Sequence, residues 1–382
     1  MNYPRWVVLS DGTCPTEDIY FLKSVAPWLQ SRGIEVKRID TSYWRLPVMC
    51  MPWLVGELRN AHILVCRSLN GAWISWLEDN RHRVATIRYL IDDDIDAAAL
   101  DEQLPETYRR RMAHVSSHVQ PRLLAIADEV IACCEPLAKH FSRRHDSVSL
   151  LAPSLIAPMP THDHFIQSAP RVGFHGSRAH LADLENITPA LVDIHERNKA
   201  LMFEIMLGGF SPVSLRGLQR VRTPKPLGWR AFQRYRDRQR MHISLTPMRD
   251  TPFNAGKTYI KFLDNAAMGS VGLYSARSPY REIVSQGEDG LLVEDTPEAW
   301  RSAMQQLIDS ILALKRNNKE TLYSSMIKDT IKRMRPQFDE SFYGYHSFSD
   351  LLEDAERAGI LKLTTDARSG TYVVTGFQKK KS

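Results

Sequence analysis

What most constrains the fold of this chain is a double alternation of short apolar runs with longer amphipathic segments, written once over residues 1–155 and again over 171–330. In the first stretch the apolar runs fall at 6–10, 33–39, 61–66, 84–91, 129–133 and 147–152, and helical periodicity fills 19–32, 72–78, 116–127 and 135–142. In the second, runs at 171–174, 203–207, 242–245 and 269–275 alternate with helical patterns at 183–198, 229–240 and 256–268. A strand that is always followed by a helix must return parallel to its neighbour, so each stretch predicts an α/β domain of Rossmann-like type around a mostly parallel sheet. Between them Pro153, Pro158, Pro160 and Pro170 crowd one passage, which marks 156–170 as an interdomain linker.

Length and composition agree. A chain of 382 residues can build two separate cores, and 43% hydrophobic with 25% charged residues is ordinary for a globular protein. No window approaches the roughly 18 consecutive apolar residues of a membrane-spanning helix. The opening MNYPRWVVLSDG has too short an apolar run for a secretory signal, so a cytoplasmic protein is the expectation. Cys14, Cys50, Cys66, Cys133 and Cys134 are odd in number and lack paired C-x-x-C spacing, against a disulfide framework and against structural zinc. The net charge of +6 is spread over separate runs, 109–111, 230–240 and 379–381, none with a nucleic-acid-binding signature. No nucleic-acid partner is expected, and peripheral contact with the anionic inner face of the cytoplasmic membrane is the reading of the basic surface, beside plain solvation.

The richest chemistry lies in residues 251–296. Lys257, Lys261 and Asp264 are spaced i, i+4, i+7, so a helix over 256–268 projects all three from one face. A lysine in a first helical turn opposes the macrodipole and is easier to understand with an anion in front of it; a diphosphate fits, and Asp264 would then accept from a vicinal diol such as a ribose. The alternative is a solvated face on which Lys261 and Asp264 pair with each other. After the strand at 269–275, the turn Ser275 to Tyr280 places backbone N–H groups and hydroxyls where open α/β sheets bind ligands, and Arg281 and Glu282 open a further helix. A second junction, Gly176-Ser177-Arg178-Ala179-His180, follows the strand at 171–174, with a small-residue turn that lets backbone approach a ligand; its other reading is a helix capped by Ser177. A third cluster, Asp92-Asp93-Asp94, ends the strand at 84–91. Three adjacent carboxylates are tolerated best beside water, a cation or substrate hydroxyls, or as a helix cap. Asp11, Gly12 and Arg67 sit at neighbouring strand ends, Pro247, Met248 and Asn254 line the approach to the lysines, and 225–229 is a candidate for contact with a base.

The segment 251–296 resembles the GT-B glycosyltransferases, specifically their family 4-like group. The family's helix ending in an E-A-M-A-C-G-like run corresponds to Asp264-Asn265-Ala266-Ala267-Met268-Gly269. Its P-x-x-E turn corresponds to Pro279-Tyr280-Arg281-Glu282, and its G-x-x-G-hydrophobic run to Gly287-Glu288-Asp289-Gly290-Leu291-Leu292-Val293. One departure stands out: the family's paired acids lie eight residues apart, and at the first position this chain has Gly256, leaving Asn254 and Lys257 as candidates for its role.

The resemblance implies two Rossmann-like domains facing across a cleft, with final helices, here 331–352, crossing back to the first domain in a closing segment 331–382 whose end, 364–382, is a strand-like or disordered appendage. It implies an enzyme that transfers a sugar from a nucleoside-diphosphate sugar to a hydroxyl acceptor on a glycan, a lipid-linked oligosaccharide or a protein, with retention, and with no metal or other cofactor required. Lys257 and Arg178, with Lys261 and His180, would stabilise the departing diphosphate. Gly176, Ser177, Asn254, Asp264, Ser275, Tyr280, Arg281 and Glu282 would line the donor site, and Asp93 or Asp94 would orient the acceptor or act as base. Two alternatives share the fold: a sugar-nucleotide 2-epimerase, which needs no acceptor, and a catalytically silent subunit that binds nucleotide sugar.

Overall fold

The computed structural model describes residues 5–12, 14–43, 56–317, 322–323, 328, 338–365 and 370–377. Residues 1–308 form one compact unit and 309–382 another. The first unit holds two six-stranded, wholly parallel sheets. One contains β1 (Trp6–Ser10), β2 (Val36–Asp40), β3 (His62–Cys66), β4 (Thr86–Ile91), β5 (Glu129–Ala132) and β6 (Val148–Leu150) in the order β2-β1-β3-β4-β5-β6. The other contains β7 (Arg171–Phe174), β8 (Met202–Ile205), β9 (Val221–Arg222), β10 (Ile243–Thr246), β11 (Val271–Ser275) and β12 (Gly290–Val293) in the order β12-β11-β10-β7-β8-β9. Two Rossmann-like domains facing across a cleft are the GT-B architecture that the resemblance implied.

The near-continuous apolar runs of these strands have a physical cause, because a parallel sheet covered by helices is buried on both faces. In β1, Val7 and Leu9 enter a core with Trp73 and Leu77 of α1 (Gly71–Asp79), while Val8 points to the opposite face and packs with Ile19, Tyr20 and Leu29. Asn70 starts α1 by accepting from the Trp73 N–H at 3.1 Å. Strand order reverses between β1 and β3 in the first sheet and between β7 and β10 in the second. Crevices open at such reversals, at the carboxyl ends of the strands.

Three expected helices differ. In place of one helix over 19–32, a short helix at Cys14–Glu17 runs into a π turn at Asp18–Leu22, and a separate helix follows at Ala26–Ser31. Pro27 sits at the first turn of the last piece, where its missing N–H costs nothing, but it could not have continued a helix begun at 19. The helix expected over 116–127 begins ten residues earlier: α3 (Glu106–His114) follows α2 (Ile95–Leu100) and runs through a π turn at Val115–Val119 into Gln120–Ile126. The helix expected over 256–268 is α6 only from Ile260 to Ala267. A separate short turn, Pro252–Ala255, precedes it, so Lys257 lies in the loop between the two.

In the second unit a helix, Phe348–Arg357, capped by Ser347, packs Phe348 and Leu352 with Leu361 and Val374 of a three-stranded antiparallel sheet. The strands are Leu322–Tyr323, Leu361–Thr365 and Tyr372–Phe377. Of the crossing region expected at 331–352, residues 331–337 lie outside the described residues; a 3-10 turn at Glu340–Tyr343 comes next, before the helix begins. Part of the appendage expected at 364–382 is strand Tyr372–Phe377, while 366–369 and 378–382 lie outside the described residues. Among the described residues no helix is long and apolar enough to cross a membrane.

Candidate functional site

The crevice at the β7/β10 reversal is closed over by the loop after β4 of the other sheet. Its walls include Asp92 and Asp93 from the first domain, and His175, His180, Lys257 and Lys261 from the second. Its volume is about 180 Å³. That is below the roughly 300 Å³ at which small-molecule pockets usually begin.

Charge is concentrated where the domains meet. Lys257 Nζ lies 2.5 Å from Asp93 Oδ1 and 3.8 Å from the centre of the Phe253 ring. Arg67 binds the other Asp93 oxygen and places its Nε 3.2 Å from Asp92 Oδ1, while Thr16 donates to Asp92 at 2.7 Å. Arg67 adopts a left-handed backbone, φ 63°, a conformation that costs a non-glycine residue free energy and recurs at functional sites. Its carbonyl accepts from the Tyr89 hydroxyl at 2.8 Å. Burial opposes ionisation of both carboxylates. At Asp93 the guanidinium of Arg67 and the ammonium of Lys257 outweigh it and hold the carboxyl below its ordinary range, whereas at Asp92 burial, reinforced by the charge of Asp93, prevails and raises it. Asp94 turns away and caps α2, accepting from the Ala97 N–H at 2.9 Å.

A second carboxylate organises the opposite wall. Asp183, 1% exposed in the first turn of α4 (Leu181–Arg197), accepts from His180 Nδ1 at 3.0 Å, from the Arg249 N–H at 3.1 Å and from Asn254 Nδ2 at 3.0 Å. Burial works against its charge, yet these donors keep its pKa below the ordinary value. Asn254 is thereby committed to holding the loop after β10, and Ser275 likewise, accepting from the Met248 N–H at 2.7 Å. Behind His175 stands Glu204 on β8, 4% exposed, which accepts from His175 Nε2 at 3.3 Å, from the Tyr235 hydroxyl and from Arg171 Nη2 at 3.3 Å. Against the effect of burial, these partners lower the Glu204 pKa to about 2, while burial lowers that of His175. Gly173 permits this: a Cβ there would lie 2.7 Å from His175 Cε1.

The structure thus brings Lys257, Lys261, His180, Gly176, Tyr280 and Asp93 to one crevice. Asp264 is buried, 3.2 Å from Arg236 Nη1 of α5 (Trp229–Arg238) and 3.6 Å from Lys261 Nζ, so its carboxylate is shared between two cations. Ser177 and Arg178 are exposed, with the Arg178 guanidinium 4.0 Å from the centre of the Phe210 ring. Arg281 donates to the Ala276 carbonyl, and it and Glu282 face solvent. Sequence reasoning did not single out Asp92, His175, Asp183, Glu204 or Arg236 as individual site residues. The available signal was a charge inside an apolar period, Glu204 within MFEI and Arg236 on the inward phase of α5, since a buried charge demands partners.

Gly256 also finds its explanation. A Cβ at this position would lie 2.8 Å from Asp94 Cβ and 3.3 Å from Asp94 N, so no acid fits where the resemblance expects one.

In the first domain a separate crevice of about 520 Å³ lies at the β1/β3 reversal. Asp11, Arg67, Asn70 and Arg111 give it polar groups over a floor that includes Ile95 and Met112.

No family model matches the chain, and no curated protein sequence matches it. Among solved structures, it is similar to UDP-GlcNAc 2-epimerase from Neisseria meningitidis bound to UDP-GlcNAc, with 14% identity over 80-odd residues in each hundred of this chain, 81%, and 92% of that one, at a TM-score of 0.46. It is similar to HepE of Anabaena in complex with UDP, with 12% identity over 80% of this chain and 90% of that one, at 0.49. It is also similar to the pneumococcal O-GlcNAc transferase GtfA in complex with UDP and GlcNAc, with 10% identity over 80% of this chain and 58% of that one, at 0.42. These are likenesses of fold.

Proposed function

We propose that the β7/β10 crevice binds a nucleoside-diphosphate sugar and that the protein is an enzyme acting on that sugar. The observation that carries this reading is the convergence of Lys257, Lys261 and His180, from separate segments, on the carboxyl-end crevice of the second sheet, opposite two carboxylates of the first domain. Cations fixed in a partly desolvated cleft are suited to a diphosphate. Asp92 and Asp93 then face the sugar.

Those two carboxylates favour epimerisation as the reaction. Their environments push their pKa values apart, leaving one more readily protonated and the other ionised, which is the arrangement of an acid and a base acting on one substrate. Epimerisation at C2 needs no acceptor. Its test is incubation of UDP-, GDP- and TDP-sugars in D2O, followed by NMR: inversion at a sugar carbon with solvent deuterium incorporated there supports it, and nucleotide sugars that bind yet stay unchanged refute it. Transfer to an acceptor is the second reading, favoured by the first-domain crevice, with its apolar floor and polar rim, as an acceptor site. It requires that donor be consumed only when a hydroxyl acceptor is added.

A further inference from the structure

We propose that α5 and the passage between β6 and β7 together form a docking surface for an anionic lipid bilayer, with arginines at the headgroup phosphates and aliphatic side chains at the acyl boundary. None of the residues that carry it lines the β7/β10 crevice, so it stands apart from the nucleotide-sugar reading.

The charge comes from α5. Arg230, Arg234 and Arg238 follow one another at i, i+4 and i+8, which puts them on one side of the helix, and all three are exposed. Gln233 and Arg236 take the inward side and are buried. Asp237, the one acid of the helix, lies 3.3 Å from Arg236 Nε, and among the described residues no carboxylate pairs with the three exposed arginines. Like charges in a row with no local counterion repel one another and are complementary to an anionic surface.

The apolar part comes from residues 151–166, which run beside this helix. Near the start of the passage Ile156 packs on the same cluster as Trp229 and Ile260, the first residues of α5 and α6. Farther on, a Cβ at Gly269, just past α6, would lie 3.1 Å from Pro160 Cγ, 3.1 Å from His164 Cε1 and 3.7 Å from the Cδ of Arg240, just past α5. His164 Nε2 also donates to the Met241 carbonyl at 2.8 Å. The passage therefore follows the seam between the two helices from their starts to their ends. Its solvent-facing side chains include three large aliphatic ones: Leu155 is 37% exposed, Met159 61% and Ile166 45%. Pro158 and Pro160 flank Met159 and restrict its backbone, so its side chain is presented at a fixed place. Asp163 is the only acid in the passage.

Aliphatic side chains held out beside unpaired cations select the occupant. A nucleic acid would take the arginines and leave the aliphatic groups in water, whereas a bilayer interface takes both.

The test uses the full chain in vesicle sedimentation, with vesicles of phosphatidylcholine alone and of three parts phosphatidylcholine to one part phosphatidylglycerol. Wild type is expected to bind the mixed vesicles and not the neutral ones, and more weakly as salt is raised. Each basic residue near such a surface is worth about fivefold in partitioning, so Arg230→Gln/Arg234→Gln/Arg238→Gln is expected to bind roughly a hundredfold more weakly, while the matching triple Arg→Lys variant binds about as wild type does. Met159→Ser/Ile166→Ser is expected to lose about tenfold. A control, Arg59→Gln/Arg143→Gln, removes exposed arginines of the first domain and should stay within about threefold of wild type. Each variant is checked for native circular dichroism. Wild type that binds neither vesicle, binds both alike, or is captured by duplex DNA and not by vesicles overturns the proposal. So does a loss in the control as large as that in the α5 variant, or a homodimer in sedimentation velocity that Met159→Ser/Ile166→Ser dissolves.

Discussion

At the scale of single residues, the site is a set of charges each held by named partners. Lys257 is the residue on which the diphosphate reading depends. A hydrogen bond to a charged group is worth about 1.5–3 kcal/mol, so Lys257→Ala should weaken nucleoside-diphosphate binding by roughly tenfold to a hundredfold while the fold survives, as titration and circular dichroism would show. Glu204 belongs to the scaffold behind the crevice. Its pKa falls from 4.5 to about 2 on folding, so its contribution to stability is fully present above about pH 4.5 and is lost as pH drops toward 2. Glu204→Gln should therefore cost roughly 1–3 kcal/mol at pH 7, and the gap to wild type should narrow in denaturant titrations at pH 3. A gap that stays constant with pH would show that the charge is not what matters. The two crevice carboxylates have opposite signs in this respect: ionised Asp93 stabilises the fold until pH falls through its lowered pKa, whereas the burial that raises the pKa of Asp92 favours the fold at low pH and works against it as pH rises.

At the scale of elements, the strands were legible and the helix starts were not. Runs such as WVVLS and RVGF can be little but buried strands, and β1 and β7 occupy those residues. Helix starts depend on local breaks that periodicity averages over: Pro27 divides 19–32, and the turn after Ala255 leaves Lys257 before α6 instead of on it. The i, i+4, i+7 spacing nonetheless found Lys257 and Lys261 as neighbours, because the loop delivers Lys257 to the same crevice that α6 faces. Gly256 was legible only as a departure from a pattern; its reason, contact with Asp94 more than 150 residues earlier, is a tertiary fact. Overpacking such a contact typically costs about 1–3 kcal/mol. Gly256→Glu, which supplies the acid that the resemblance expects, should lower the melting temperature and fail to raise activity. A variant that is as stable as wild type and more active would contradict the packing described here.

At the scale of the whole chain, two sheets with reversed strand order each provide a crevice. What the sequence could not convey is which charges meet across the cleft. Arg67, Asp92, Asp93 and Lys257 come from three distant segments, and nothing in their spacing announces that they share one network. The partition of Asp92–Asp93–Asp94 into two crevice carboxylates and one helix cap is likewise set by the direction in which the chain leaves β4. The central claim is that this network sits in a nucleotide-sugar site. Calorimetric titration of wild type and Lys257→Ala with UDP-, GDP- and TDP-sugars tests it most directly: the account predicts saturable one-to-one binding of at least one of them to wild type, weakened tenfold or more by the substitution, and equal affinity for both proteins, or no binding to wild type, would contradict it.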